Sequence, residues 1–157
     1  LLLSIFTLTP GRREEKRHGA AWRTDGKVLR LNWEGRPPYT VAFEPLSQPH
    51  SQVWRDGLLY CCESFASQVT ALDLATGARQ TLYQRFGFVR GLAFDGDTAY
   101  VGVSRVRVKI PLAQRIVGWF QMRNGVCELD ARTWKLRRQF PLPGTETYEI
   151  LVMEGGG

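Results

Sequence analysis

The stretch Val53–Tyr60 reads VWRDGLLY, and a related stretch, AFDGDTAY, runs from Ala93 to Tyr100. In both, apolar residues flank an Asp-Gly pair and a tyrosine ends the segment, with a serine four residues further on. Asp and Gly tolerate the positive φ angles of tight turns, so each stretch predicts a β-hairpin. We align the two copies with one extra residue in the turn and interpret them as repeats of one sheet unit.

A second repeated stretch follows each hairpin. Val69–Gly77 and Gly125–Trp134 both contain Leu-Asp-x-x-Thr, with the aspartates at Asp73 and Asp130. These aspartates are 57 residues apart, whereas the repeated tyrosines are 40 apart, so the second unit carries about 17 additional residues after Ser104. Because the aspartates recur at the same place, we expect them to cap turn backbone.

The rest of the chain favours strands. Period-2 alternation dominates and no segment shows a convincing 3.6-residue period; residues 105–122 allow a short helix at most, because Pro111 interrupts it. A four-stranded unit of about 40 residues is typical of a propeller blade, and closed propellers need at least about four blades. We count two clear units, a partial one at Trp22–Leu31 and a start at Tyr148. The fold prediction is all-β: a β-propeller-like repeat of four-stranded antiparallel blades, in an incomplete or open segment.

The predicted domain organisation follows from these units. Residues 1–18 form an N-terminal strand or fragment edge, residues 19–154 form the blades, and residues 155–157 are a flexible tail. A basic insert occupies residues 105–123, which contain five Lys or Arg and no acid.

Composition excludes several classes. The chain is 43% hydrophobic and 23% charged, as in globular rather than disordered proteins, and no run approaches the 18 to 20 apolar residues of a membrane span. Three cysteines, two of them adjacent, make no disulfide framework and indicate a cytoplasmic location. The chain has only two histidines and no Cys-x-x-Cys spacing, so we expect no metal site. It also has no phosphate-binding or dinucleotide-binding loop, so we expect no cofactor.

Three motifs resemble one known family. PHS at Pro49–Ser51, GFVRGLAF at Gly87–Phe94 and VGVSRVR at Val101–Arg107 are similar to motifs of a bacterial family of unknown function that is regarded as propeller-like. The similarity runs from about Pro49 to Glu154. It implies the propeller-like fold and carries no activity with it.

His50 and Arg90 are the strongest candidates for chemistry. The imidazole of His50 titrates near neutrality and could transfer a proton or bind an anion, although it could equally cap a strand. Arg90 lies next to Gly91, where the backbone can approach closely while the guanidinium grips a carboxylate or phosphate. The structural alternative for Arg90 is an ion pair between blades, with Glu63 or Asp95.

Other polar residues follow the second repeat. Arg105 and Arg107 come just after Ser104, and strand alternation predicts that both point to one face, as an anion-binding pair or as a solvated surface. Two later carboxylates, Glu146 and Glu149, look exposed. The predicted ligand-binding set is His50, Ser51, Arg90, Ser104, Arg105 and Arg107.

The aromatic residues at repeat positions are expected to form a core between blades. They are Trp54, Tyr60, Phe94 and Tyr100.

Three functions remain open. The net charge of +6 and the clustered arginines favour a binding module for an anionic small molecule, a glycan or a protein partner. One alternative is an enzyme with an axial pocket that acts on a sugar or anionic substrate, with His50 as its acid or base. The other is a nucleic-acid binder that uses the basic insert.

Overall fold

The computed structural model describes residues 1–5, 24–105 and 124–153, and every regular element in these ranges is a β-strand. Sheet I has three antiparallel strands: β1 (Leu2–Ile5), β2 (Gly26–Leu31) and β3 (Tyr39–Leu46). Sheet II has four, in the order β4 (Pro49–Arg55), β5 (Leu58–Glu63), β6 (Gln68–Leu72) and β7 (Arg79–Gln84). Sheet III has β8 (Phe88–Asp95), β9 (Thr98–Ser104), β10 (Gly125–Asp130) and β11 (Leu136–Pro141), in the same order.

Sheets II and III are copies of one antiparallel meander, which confirms the all-β, propeller-like prediction with open sheets. Side-chain alternation explains the strands: β10 buries Gly125, Cys127 and Leu129 and turns the intervening residues towards the surface. The basic insert beyond Arg105 and the helix considered there lie outside the described residues. No helix in the part of the chain that the structure describes is long and apolar enough to cross a membrane.

The first hairpins of the two sheets have equally long turns, so the extra residue in our alignment is wrong. Arg55 pairs with Leu58 and Asp95 pairs with Thr98, which leaves two residues in each turn. Asp56 and Gly57 have φ angles of 51° and 78°, as a twisted two-residue hairpin requires. In the second sheet the Asp-Gly pair has moved back by one position, which is why sequence alignment inserted a residue.

The repeated Leu-Asp-x-x-Thr motif caps a turn in both sheets. Asp73 Oδ1 accepts hydrogen bonds from the backbone N–H groups of Ala75 and Thr76, at 2.8 and 3.2 Å. Asp130 Oδ1 does the same for Arg132 and Thr133, at 3.1 and 2.8 Å. The pKa of Asp73 is held below its ordinary value first by the Thr76 hydroxyl and then by these backbone bonds, and that of Asp130 first by the bond from the backbone of Thr133. The prediction that the aspartates serve turn chemistry is confirmed.

Two apolar cores lie between the sheets. One, between sheets I and II, contains Val28, Leu46 and Leu59, and the other, between sheets II and III, contains Val69, Val101 and other buried residues. The first strands of sheets II and III lie against each other, because β8 contacts both β4 and β5. This packing brings the beginnings of β4 and β8 together, and we call β4, β8 and the segment 147–150 the inner segments.

An aromatic cluster closes the second core. Tyr60 stacks on Trp134 at a ring separation of 6.0 Å, and Phe94 meets Tyr60 edge-on at 5.0 Å. Trp134 has a φ of 57° at the turn position where sheet II has Gly77, with a φ of 74°. The prediction that Trp54 belongs to the core is wrong, because Trp54 is 57% exposed. Trp134 fills the space between the sheets instead.

Candidate functional site

Each of the first strands, β4 and β8, contains a bulge near its start. The pairing register shifts after His50 in β4 and after Arg90 in β8, so that Ser51 and Gly91 are the extra residues. Their φ angles are 44° and 70°. Bulges re-aim neighbouring side chains, and here His50 and Arg90 hold the same position in successive sheets.

The two bulges are bonded to each other. Ser51 Oγ accepts a hydrogen bond of 3.0 Å from the backbone N–H of Gly91. On the other side of Gly91, an added Cβ would lie only 3.2–3.3 Å from atoms of Glu149 and Ile150. Gly91 therefore lets the segment after sheet III pack closely against β8.

Two buried serines, one at the end of the second strand of sheet II and one at the end of the second strand of sheet III, bond to the inner segment that follows each sheet. Ser64 Oγ donates a hydrogen bond of 2.8 Å to the carbonyl oxygen of Val89. Ser104 Oγ donates a bond of 2.9 Å to the carbonyl oxygen of Thr147 and accepts one of 2.9 Å from its N–H. Thr147 is therefore the counterpart of Val89, and the next residue, Tyr148, holds the position that Arg90 has in β8.

Arg90 is the centre of the site. Its Nη1 lies 3.6 Å from Glu146 Oε1, and the two side chains are only 14% and 9% exposed. The guanidinium lies over the rings of Tyr148 and Phe88, at 5.0 and 5.3 Å from their centroids. Arg90 Nε is buried and has no hydrogen-bond partner among the described residues.

The partner of Arg90 was predicted wrongly. An ion pair with Glu63 or Asp95 was expected, but the carboxylate beside Arg90 belongs to Glu146, which follows sheet III. Glu146 was expected to be exposed and is almost fully buried, whereas Glu149 is exposed. No local pattern indicates this pairing, because Glu146 follows Arg90 by 56 positions, a span that includes the basic insert.

His50 is neutral at physiological pH. Burial, and to a smaller extent the nearby positive charge of Arg90, together lower its pKa to about 4. The inner-strand site, which we define as His50, Ser51, Arg90, Glu146 and Tyr148, thus contains one cation, one carboxylate, an uncharged imidazole and an exposed phenol ring. Such a set can bind a carboxylate or phosphate beside a ring.

Of the three remaining predicted site residues, the structure describes Ser104 and Arg105. The buried hydroxyl of Ser104 is engaged by the backbone of Thr147. Arg105 has an exposed side chain, and its backbone N–H bonds to the carbonyl oxygen of Thr145 at 3.0 Å. Arg107 lies outside the described residues.

Glu63 is a buried carboxylate whose hydrogen-bond network sequence reasoning missed. It accepts hydrogen bonds from Thr70 Oγ1 at 2.6 Å, Ser47 N at 2.8 Å and Gln68 Nε2 at 3.0 Å, and it pairs with Arg79. Burial alone would raise its pKa, but these bonds and the charge of Arg79 lower the pKa below its ordinary value.

The network around Glu63 is structural, because it joins sheet II to the chain that leaves sheet I. Arg79 Nη1 also donates to the carbonyl oxygen of Pro45, at 3.0 Å. In sheet III the counterpart of Glu63 is Val103, which lies just before the repeated serine. This mismatch between repeats was the signal in the sequence that could have identified the network.

The cysteines are buried thiols in strands. Cys61, Cys62 and Cys127 are all free and buried. Burial raises the pKa of Cys61 and Cys62, which keeps both as unreactive thiols. In residues 1–5, 24–105 and 124–153, no three His, Cys, Asp or Glu side chains gather closely enough to hold a metal ion.

Comparison with solved structures supports the fold alone. The crystal structure of the computationally designed Ika4 protein is 14% identical, with a TM-score of 0.52, and the match covers 83% of this chain and 71% of that chain. That of the computationally designed Ika8 protein has the same identity and TM-score, and the match covers 83% of this chain and 36% of that chain. No curated protein matches the sequence.

The family comparison confirms a family of unknown function. The model of DUF4915, described as a domain of unknown function, matches residues 16–155. The chain therefore belongs to the DUF4915 family.

Proposed function

We propose that this chain is a non-catalytic binding module that holds a small carboxylate or phosphate ligand at the inner-strand site. The observation that carries the proposal is the state of Arg90. Its guanidinium is largely buried, its Nε has no acceptor among the described residues, and its nearest carboxylate oxygen lies beyond hydrogen-bond length, at 3.6 Å. A buried donor without an acceptor costs about 1–3 kcal/mol, which a ligand oxygen can recover.

The surroundings of Arg90 suit a ligand better than a closed ion pair. Tyr148 lies over the guanidinium and is 59% exposed, so its ring can move aside or contact a ligand. His50 is uncharged at neutral pH and adds polar character without a competing positive charge. The bond between Ser51 and Gly91 fixes the two bulges that carry His50 and Arg90.

The two other functions have less support. With a pKa of about 4, His50 is a weak base, and almost none of it is protonated at neutral pH. It is therefore a poor acid–base catalyst at that pH. Of the basic insert, Arg105 alone is described, so the nucleic-acid hypothesis depends on sequence alone.

Binding of inorganic phosphate, sulfate, acetate and citrate, measured by titration calorimetry, tests the proposal. We expect saturable binding of at least one anion, and affinity at least about tenfold weaker for Arg90→Gln. Arg138→Gln is the matched control, because Arg138 also has a carboxylate partner, Glu128 at 2.9 Å, and an aromatic neighbour, Phe140 at 4.8 Å, but is 64% exposed.

Two outcomes would overturn the proposal. One is that none of the four anions binds the wild-type chain saturably. The other is that Arg138→Gln weakens binding as much as Arg90→Gln, which would mean that the anions respond to overall charge and not to the inner-strand site.

A further inference from the structure

A second concave site lies between sheets II and III, separate from the inner-strand site. Residues of β5, β6 and β7 form one wall, and the turn between β10 and β11 forms the other. The cleft has a volume of about 330 Å³, which lies in the lower part of the roughly 300–1,000 Å³ range of small-molecule sites. It is therefore large enough for a small molecule.

Two aromatic side chains close the inner end of the cleft. Tyr60 and Trp134 both line it, and their rings are stacked 6.0 Å apart with an angle of 25° between their planes. Trp134 is 9% exposed and Tyr60 is half-buried, so only a small part of these rings faces the cleft.

The outer walls offer uncharged hydrogen-bonding groups. Gln80 and Thr81 line the cleft from β7, the outermost strand of sheet II, and both are exposed. Thr133 lines it from the opposite turn. Amide and hydroxyl groups both donate and accept hydrogen bonds, as the hydroxyl groups of a ligand require.

The charge at the cleft is balanced. Among the described residues that line it, Arg132 alone is charged, and its guanidinium is paired with both carboxylate oxygens of Asp97, at 2.7 and 3.3 Å. A ligand in this cleft therefore meets little net charge, in contrast to one beside Arg90.

The backbone at Trp134 supports a functional reading of the cleft. A tryptophan with a φ of 57° occupies a position where the equivalent turn of sheet II has a glycine with a φ of 74°. Non-glycine residues in this conformation are strained and persist where the surroundings require them. Here the strained turn places the indole at the inner end of the cleft.

We propose that this cleft binds a neutral, polyhydroxylated ring ligand of the sugar class. Gln80, Thr81 and Thr133 bond to its hydroxyl groups, the small accessible part of Tyr60 and Trp134 contacts its ring at the inner end of the cleft, and the balanced charge disfavours anions. The site does not depend on the anion-binding function proposed above, because the two share no residue.

The test is a titration with six uncharged sugars followed by two-dimensional NMR: glucose, galactose, mannose, N-acetylglucosamine, maltose and cellobiose. The indole N–H signal of Trp134 is assigned from its loss in Trp134→Phe. We expect at least one sugar to shift this signal and the amide signals of Gln80 and Thr81 saturably, at millimolar concentration. Inorganic phosphate should leave these signals in place.

Gln80→Ala is the test variant and Gln84→Ala its matched control. Both glutamines are exposed on β7, but only Gln80 lines the cleft. We expect Gln80→Ala to lower the affinity for the sugar at least about fivefold and Gln84→Ala to leave that affinity unchanged. The proposal is wrong if none of the six sugars shifts the Trp134 signal saturably, or if both variants weaken binding equally.

Discussion

Ser51 and Gly91 are bonded to each other from equivalent positions in successive sheets. Each is the extra residue of a bulge, and Ser51 Oγ accepts a hydrogen bond of 3.0 Å from the N–H of Gly91. Because His50 and Arg90 immediately precede these residues, the bond also fixes the spacing of the two side chains on which the inner-strand site depends.

Replacing Ser51 tests this bond. Ser51→Ala leaves the buried N–H of Gly91 without its acceptor, so we expect a loss of about 1–3 kcal/mol in the free energy of unfolding, measured in urea. Ser51→Gly loses the same bond but accepts the φ of 44° without strain, so it should lose about 1 kcal/mol less. If both variants unfold at the wild-type urea concentration, the bond does not hold the bulges together.

The two repeated serines should contribute differently to the free energy of unfolding. Ser64 donates one bond to the next inner segment, whereas Ser104 both donates to and accepts from Thr147. We expect Ser64→Ala to lower the free energy of unfolding by about 1 kcal/mol and Ser104→Ala by about 2 kcal/mol. Equal losses in urea denaturation would contradict the two-bond arrangement at Ser104.

The sequence allowed the fold to be predicted because its signals are local. Asp73 and Asp130 act within their own turns, and the paired strands follow each other directly, so a repeat in sequence becomes a repeat in structure. The alignment failed at the hairpin turn for a similar reason. The two turns have the same length but opposite residue orders, Asp56-Gly57 and Gly96-Asp97. Aligning the two Asp-Gly pairs with each other therefore concealed the equal length.

The candidate site could be predicted only in part. Three of its residues lie in short sequence motifs at the start of inner strands: His50, Ser51 and Arg90. Such motifs can be recognised from neighbouring residues alone. Glu146 and Tyr148 join them from beyond the basic insert, and no local pattern indicates a contact across that distance. The sequence motifs therefore indicated three of the side chains that the structure brings together, but not the two that come from beyond the insert.

Trp134 illustrates how packing can outweigh a local backbone preference. Trp134→Gly introduces the residue that the equivalent turn of sheet II has, and it relieves about 1 kcal/mol of strain at a φ of 57°. It also removes a ring that is 91% buried against Tyr60 and Phe94, at a cost of about 3–5 kcal/mol. We expect a net loss of about 2–4 kcal/mol in urea denaturation. A variant as stable as the wild type would show that the ring contributes little to the core.

Stability should fall in mild acid because of His50. Its pKa in the folded chain is about 4, below its ordinary 6.5, so the unfolded chain takes up the proton first as the pH falls. The contribution is complete above about pH 6.5 and is lost progressively towards pH 4. With solvent screening, we expect the wild type to lose about 1–2 kcal/mol more than His50→Gln between about pH 7 and pH 5. Parallel pH profiles of the two proteins in urea would show that His50 is not the responsible group.

Glu146 should compete with an anionic ligand for Arg90. Its carboxylate is nearly buried and lies 3.6 Å from the guanidinium, so it repels any second anion that approaches the same donors. Glu146→Gln removes that charge and keeps the shape of the side chain, and we expect it to increase the affinity for the anion bound by the wild type about three- to tenfold. Glu149→Gln is the control, because Glu149 is exposed and the structure gives it no ion pair with Arg90. Titration calorimetry of the three proteins decides the matter: weaker binding in Glu146→Gln would mean that Glu146 positions Arg90 for the ligand and does not compete with it.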